Sequence, residues 1–388
     1  MKCFEKVIKN LLFEQVKDLT DKHQFAYAQN RSVDDATLCL MNYVLQHVDQ
    51  PNTASKKHFV KILFVDFSSA FNTIQPHLMM KKLHSMGVSP NIILWINDFL
   101  TDRPQYVKLL GIGSDVTITN TGAPQGCVLS PLLFTLYTSD CVCQNTNCQL
   151  IKYADDTALV SRCINDDATY RLEVQKFYDW CCENFLELNV TKTKEMIVDF
   201  QKVNELHQPV TINDTAVEIV KEYKYLGTII DDQFNFKSHV DKLHKKINSR
   251  LYFVRQMCKL DFNVEILELF YTAIIQSVLS FSIVCWFGNT TEEAKDKIAH
   301  VINYCMKLGV INPMSLPEIY ERGVLQKFKT IFEDEKHPLH KNYVELPSGR
   351  RLRSLYCRTK RYADTFVPTS IKLVNSKGFE KFSKAVLE

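Results

Sequence analysis

Residues 150–161, "LIKYADDTALVS", set Asp155 and Asp156 side by side between two apolar runs. Leu150, Ile151, Tyr153 and Ala154 precede them, and Ala158, Leu159 and Val160 follow. Apolar runs about a short polar tip read as a β-hairpin with the acids in its turn. Asp is a common turn former, so an exposed pair is often nothing more. A turn does not need Asp twice, however, and crowded like charges repel unless a cation lies between them.

A third acid gives that cation a reason. Asp66 ends the strand-like run "FVKILFV" (59–65). Its ordinary alternative is to cap a following helix. One Asp at a strand end and two in a hairpin turn meet if their strands are neighbours in one sheet. Three carboxylates meeting there require a counter-ion. Hard divalent cations take oxygen ligands, and Mg²⁺ commonly combines one or two carboxylates with phosphate oxygens and water. Two such ions about 3.5–4 Å apart hold the attacking and leaving oxygens of an in-line phosphoryl transfer.

The motifs "FVDFSSAFNTI", "GAPQGCVLSPLLF", "YADDTALV", "LNVTKTKEMIV" and "YKYLGTII" follow one another in this order. As a set the chain resembles a reverse transcriptase of the LINE-type, non-LTR retrotransposons, from about residue 1 to 260. The resemblance implies an α+β right-hand polymerase palm, an antiparallel sheet with packed helices, then a helical thumb and a basic C-terminal segment. It divides the chain into finger and palm-entry helices (1–56), palm (57–232), thumb (233–310) and basic tail (311–388). The activity implied is that of an RNA-directed DNA polymerase, adding dNTPs to a DNA primer on an RNA template with two Mg²⁺ ions, or Mn²⁺. Asp66 and Asp155 would hold both ions, with Asp156 beside them. Phe71 would be the steric gate against a 2′-OH, although by itself it reads as a core Phe. Gln125, Gly126 and Arg31 would face nucleotide and template, and Lys192 the triphosphate. Tyr225, Leu226 and Gly227 would form the primer grip, and Lys242, Lys245, Lys246 and Arg250 would contact nucleic-acid backbone.

Two departures qualify this. The family carries fingers strands and an endonuclease domain upstream, which the resemblance places before Met1. In "HQFAYAQNRSVDDA" (23–36), Ala28 stands where relatives usually have arginine, while Arg31 is retained. The expectation is therefore an N-terminally truncated chain with weakened polymerisation; the alternative is a catalytically inactive nucleic-acid-binding remnant.

Composition is compatible with either. The 388 residues are 46% hydrophobic, enough to bury a sizeable core, and the net charge is +3. That balance conceals two basic stretches. Lys237–Lys259 carries one acid, Asp241, and 341–361 carries only Glu345. Lopsided basic blocks are what a polyanion-binding surface requires, although a solvated face is the commoner explanation. Thirteen cysteines, odd in number and without a C-x-x-C pair or a signal peptide, suggest reduced thiols in an intracellular protein, nuclear or cytoplasmic and not secreted. The uncharged stretch 270–291 is punctuated by Thr272, Gln276, Ser277, Ser280 and Ser282, so a buried helix is expected there rather than a membrane span. No obligate protein partner is evident.

Overall fold

The computed structural model describes residues 2–53, 55–201, 207–310, 313–379 and 382. The chain packs as two compact units. The first comprises Met1–Ser32, Lys61–Glu195 and Leu206–Ile219; the second comprises Val33–Val60, Met196–Glu205 and Val220–Glu388.

The first unit is built on a five-stranded sheet. Its strand order is Glu218–Ile219, Lys194–Val198, His58–Val65, Asp156–Ile164, Cys148–Tyr153. The strand His58–Val65 is buried along all but its first residue, as a run covered on both faces must be. Its neighbour Asp156–Ile164 pairs antiparallel with Cys148–Tyr153, matching Leu150 with Leu159, Ile151 with Ala158 and Tyr153 with Asp156. The short edge strand Glu218–Ile219 joins Lys194–Val198 in parallel. The helix Ala168–Glu183 covers the Asp156–Ile164 strand, burying Tyr170, Val174, Phe177 and Cys181 at helical spacing. The α+β architecture expected from the motifs is thus the one observed.

Two buried lysines fasten this unit. Lys61, fully buried in the central strand, contacts Asp167 at 2.7 Å and Glu195 at 3.2 Å, and donates to the Gln208 carbonyl at 2.8 Å. Glu195 also accepts from the Val210 backbone N–H at 3.0 Å. Lys152, on the hairpin, pairs with Asp21 at 2.7 Å and donates to the carbonyls of Thr138 and Cys141. Buried charges persist only when paired and hydrogen-bonded, and here the pairing ties distant segments to the sheet.

The second unit is mainly helical, with one antiparallel hairpin, Glu222–Tyr225 with Thr228–Asp231. The long helix Lys237–Lys259 buries Val240, Leu243, Ile247, Leu251 and Val254 against the helix Glu292–Lys307, leaving Lys245 and Lys246 exposed. Beyond residue 310 the chain is more helical than its basic composition suggests. The helix Leu316–Glu333 starts from a capping box in which the Ser315 hydroxyl and the Glu318 carboxylate each serve the other's backbone N–H. It also supplies Lys327, which with His337 faces the buried Asp35 at 2.8 and 3.3 Å. Burial alone would raise the Asp35 carboxyl, but His337 and Lys327 outweigh it and hold it down at about 2.

The uncharged stretch departs from expectation. In place of one buried helix, Val264–Phe270 runs into a π-helical turn, Tyr271–Gln276, then Ser277–Ser280; the chain breaks before Ile283–Trp286. At the break Ser282 adopts φ 48°, its hydroxyl donates to Asp34 at 2.6 Å, and the Trp286 indole donates to the Phe281 carbonyl at 3.1 Å. The indole thereby satisfies a carbonyl at the break, and the Ser282–Asp34 bond fixes the turn. Among the described residues Val264–Trp286 is the one segment long and apolar enough to cross a membrane, and it is 44% buried within the protein.

Candidate active site

Asp66 stands one residue past the central strand, and Asp156 opens the strand beside it. The neighbouring strands that the acids require are therefore present. Asp155 and Ala154 form the two-residue loop between them, and Ala154 takes a left-handed φ of 56°. Short hairpin loops call for positive φ at this place, which costs a residue bearing a Cβ roughly 1–2 kcal/mol.

Gln24 holds that loop. Its side-chain oxygen accepts from the Ala154 N–H at 2.9 Å and the Ala26 N–H at 3.1 Å, while its amide nitrogen donates to the Ala154 carbonyl at 3.3 Å. Backbone bonds from Phe25 to Lys152 and from Lys152 to His23 lay this segment along the hairpin edge. Arg31 braces the same segment, donating to the Lys22 carbonyl at 2.7 Å and lying over the Phe25 ring. Tyr27 comes close enough to Asp155 for burial, and then that carboxylate, to raise its phenol. Sequence reading missed Gln24 and Tyr27: a polar residue beside aromatics carries no sign of which loop it will meet.

The turn carrying Lys192 is fixed to Asp66 by its backbone. The Asp66 N–H donates to the Thr193 hydroxyl at 3.3 Å, the Asp66 carbonyl accepts from the Asn189 N–H at 2.9 Å, and Thr193 closes onto the Asn189 carbonyl. Lys192 then lies 4.0 Å from the Asp66 carboxylate, with 70% and 40% of the two side chains exposed. Asp155 and Asp156 are exposed as well. Partial loss of water, then the charges of Asp155 and Asp66, raise the Asp156 carboxyl above its ordinary value. The three acids thus feel one another. No group of three or more His, Cys, Asp or Glu side chains among the described residues is drawn together tightly enough to hold a metal ion. The donor set nevertheless suits a hard cation: carboxylate oxygens, mutual repulsion and solvent access.

Around the acids, Phe71 stacks on Phe134 at 4.6 Å and its carbonyl accepts from the Ala123 N–H. Ring and loop meet because Gly122 packs on the Asn72 backbone; a Cβ there would sit 2.8 Å from the Asn72 Cα. Arg103 anchors the loop from the other side through the carbonyls of Thr121 and Gly122. Gln125 is exposed and reaches Asn72 at 3.4 Å, and Gly126 follows at φ 76°. Gly122 and Arg103 were not foreseen, because a close backbone approach leaves no pattern in one sequence. The next helix, Ser130–Tyr137, is approached by the buried Glu5, whose carboxylate accepts from the N–H of Val128 at 2.7 Å.

In the second unit, Leu226 and Gly227 turn the hairpin at φ 48° and 90°, while Tyr225 is buried. The Phe281 ring lies 2.9 Å from where a Gly227 Cβ would stand. Lys242 pairs with Glu222 at 3.1 Å, Arg250 donates to the Ile274 carbonyl, and Lys245 and Lys246 face solvent. None of the thirteen cysteines is in a disulfide.

The profile of the reverse transcriptase (RNA-dependent DNA polymerase) family matches residues 1–230, and the chain belongs to that family. Its curated relatives are mobile-element enzymes, which bears out the LINE-type resemblance of the motifs. The RNA-directed DNA polymerase from mobile element jockey of Drosophila funebris is 28% identical over 263 residues, covering 64% of this chain and 28% of the relative. The probable RNA-directed DNA polymerase from transposon BS of Drosophila melanogaster is 25% identical over 266 residues, covering 66% and 29%. The chain thus spans under a third of the length of these relatives. A second profile, alkylated DNA repair protein alkB homolog 8, N-terminal, matches residues 236–277 alone. Among solved structures, an apo telomerase from Candida tropicalis aligns over 83% of this chain and 54% of its own at 12% identity, with a TM-score of 0.43.

Proposed function

We propose that the chain is the palm and thumb of an RNA-directed DNA polymerase, with 57–232 as palm, 233–310 as thumb, and RNA template, DNA primer and dNTPs as its substrates. The observation that carries this reading is the placement of Asp66 and the Asp155–Asp156 loop at the ends of adjacent strands, where loss of water and then both neighbouring acids raise Asp156. Asp66 and Asp155 would hold Mg²⁺ or Mn²⁺, with Asp156 adding charge beside them. When bound, the metal pair supplies charge neutralisation for the attacking and leaving oxygens. Lys192, tethered beside Asp66, offers an ammonium to the phosphates and a proton to the departing pyrophosphate. Phe71, fixed by Phe134, limits the space at the sugar, and the loop around Gln125 and Gly126 borders the base pair being formed. Exposed Lys245 and Lys246 would neutralise duplex phosphates in a salt-sensitive, sequence-independent way.

A second reading is a nucleic-acid-binding remnant without catalysis. It is favoured by one observation, the absence of a converged ligand group among the described residues. Primer extension on an RNA template, with all four dNTPs and Mg²⁺ or Mn²⁺, decides between them. Extension by the wild type that is lost in Asp155→Asn supports polymerisation. No extension, with duplex binding intact, supports the remnant.

A further inference from the structure

Two cations that polymerisation leaves unused, Arg358 and Arg361, border one cavity in the second unit. Its volume is about 370 Å³, and its wall also takes in Phe200, Tyr362 and His58 together with the apolar Leu45, Val48 and Pro51. That places it at the small end of the range for ligand clefts, roughly 300–1,000 Å³.

The cavity is deliberately built around a fixed strap. Asp49, just past the helix Val33–Val48, accepts from the backbone N–H groups of Arg358 and Thr359, both at 2.8 Å, and from the Thr359 hydroxyl at 2.6 Å. Its carboxylate is thereby committed to holding the chain. The Arg358 guanidinium instead rests on carbonyl oxygens, those of Asp49 at 2.6 Å and Gln50 at 3.4 Å, which leave its charge uncancelled. Among the described residues no carboxylate forms an ion pair with Arg361. Its guanidinium lies 3.6 Å from the Phe200 ring centroid, a stacking distance, while its backbone carbonyl is held by Asn289. Burial lowers Arg361 from its ordinary value, with Asp231 opposing.

Leading to the cavity, 350–361 contains six basic residues (Arg350, Arg351, Arg353, Arg358, Lys360 and Arg361), no acid, and Tyr356 at 88% exposure. A merely solvated strap needs neither a ring beneath a guanidinium nor a cavity beside it.

We propose that this cavity receives one nucleotide unit of a single nucleic-acid strand. Its base stacks on the Arg361 guanidinium backed by Phe200, and the flanking phosphates lie on Arg358 and the exposed arginines of the strap. Unstacked bases are commonly received on aromatic rings and guanidinium planes, with cations following the backbone. An acidic peptide could satisfy the charge, but its carboxylates make no use of a flat shelf. The choice of nucleic acid over other polyanions rests on the polymerase reading.

The test is fluorescence anisotropy on the full chain at fixed salt, with labelled single-stranded RNA, single-stranded DNA and an RNA–DNA duplex. Arg361→Ala is expected to weaken single-strand binding about tenfold, the scale of one lost stacking contact, and to leave duplex binding unchanged. Arg361→Lys, which keeps the charge without the plane, should recover only part of the loss, and Phe200→Leu should reproduce it. Equal losses for RNA and DNA mark a base-and-phosphate site; a larger loss for RNA adds a 2′-OH contact. Unchanged single-strand affinity, an equal loss for duplex, full recovery by lysine, or displacement of RNA by an acidic peptide at matched charge would each overturn the proposal. Melting curves check the fold of every variant, and Arg361→Lys with Phe200→Leu decides if the alanine variant unfolds. Because extension is not the readout, a chain that extends no primer but loses single-strand binding in Arg361→Ala retains the site while the polymerase reading fails.

Discussion

Two groups of charges share the sheet of the first unit, and they are arranged in opposite ways. Around Lys61 the acids are paired: Asp167, partly exposed, and the buried Glu195 lie within 3.2 Å of a fully buried ammonium, and the Val210 N–H takes up the other Glu195 oxygen. At the strand ends, Asp66 and the Asp155–Asp156 pair stand on adjacent strands, and Lys192, mostly exposed, lies 4.0 Å from Asp66. The first arrangement is complete within the protein. On the proposed reading the second is completed by a bound cation. On that reading, acids that serve the fold bring their own counter-ion, whereas those at the strand ends take one from a ligand.

Asp155→Asn should break the second group with the largest effect. Extension is expected to fall roughly a thousandfold or more, the scale of losing a principal charge-stabilising group, while stability to urea stays within about 0.5 kcal/mol of wild type. A comparable loss of stability would mean that the acid is structural and would dissolve the contrast.

Lys61→Met sharpens the other side. It strands the buried Glu195, while Asp167 keeps its pair with Arg171 at 3.0 Å, and should cost about 3–5 kcal/mol in urea denaturation. A variant as stable as wild type would show that the enclosed charges contribute nothing net.

A third class of titratable group is buried with no counter-ion and stays neutral. His239 accepts from the Ile229 N–H through Nδ1 at 3.3 Å, and burial, then Lys242, push it down to about 4. Its folded value lies below its unfolded one, so stability is full above about pH 6.5 and declines as pH falls towards 4. The expected contribution is roughly 2–3 kcal/mol. His239→Gln should flatten that part of the acid-denaturation curve; an unchanged curve would place the loss elsewhere.

Gly122→Ala should have a smaller effect, about 1–3 kcal/mol, from a Cβ meeting the Asn72 backbone and from its φ of 72°. It separates packing at Phe71 from charge at the acids, since extension should then fall in proportion to loop displacement. The smallest effect is expected for Lys192→Ala on stability, within about 0.5 kcal/mol, because exposed pairs contribute little. Its effect should instead fall on extension.

The legible part of this molecule was the part whose pattern is local. Alternating and continuous apolar runs disclosed the hairpin of 148–164 and the strand ending at Asp66, and motif order disclosed their adjacency. The capping box at Ser315 and Glu318 is equally local, an S-x-x-E pattern within an otherwise basic segment. What one sequence could not disclose were partnerships across long separations: Gln24 with the Ala154 loop, Lys61 with Glu195, Asp35 with His337, Asp49 with Thr359. Each is a single polar residue whose type permits many partners. The break at Phe281–Ser282 was hidden for the same reason, since the hydroxyl that helps complete it meets Asp34 from far away in the chain.

The most direct test of the central claim is thermal melting with increasing Mn²⁺ for wild type, Asp155→Asn and Lys61→Met. A cation that binds only the folded chain raises Tm by mass action. The account predicts that millimolar Mn²⁺ raises Tm for wild type and for Lys61→Met, from its lower starting point, and does not for Asp155→Asn. An equal rise in Asp155→Asn, or no rise in wild type, would contradict it, because the exposed acids would then not be the place where a cation is received.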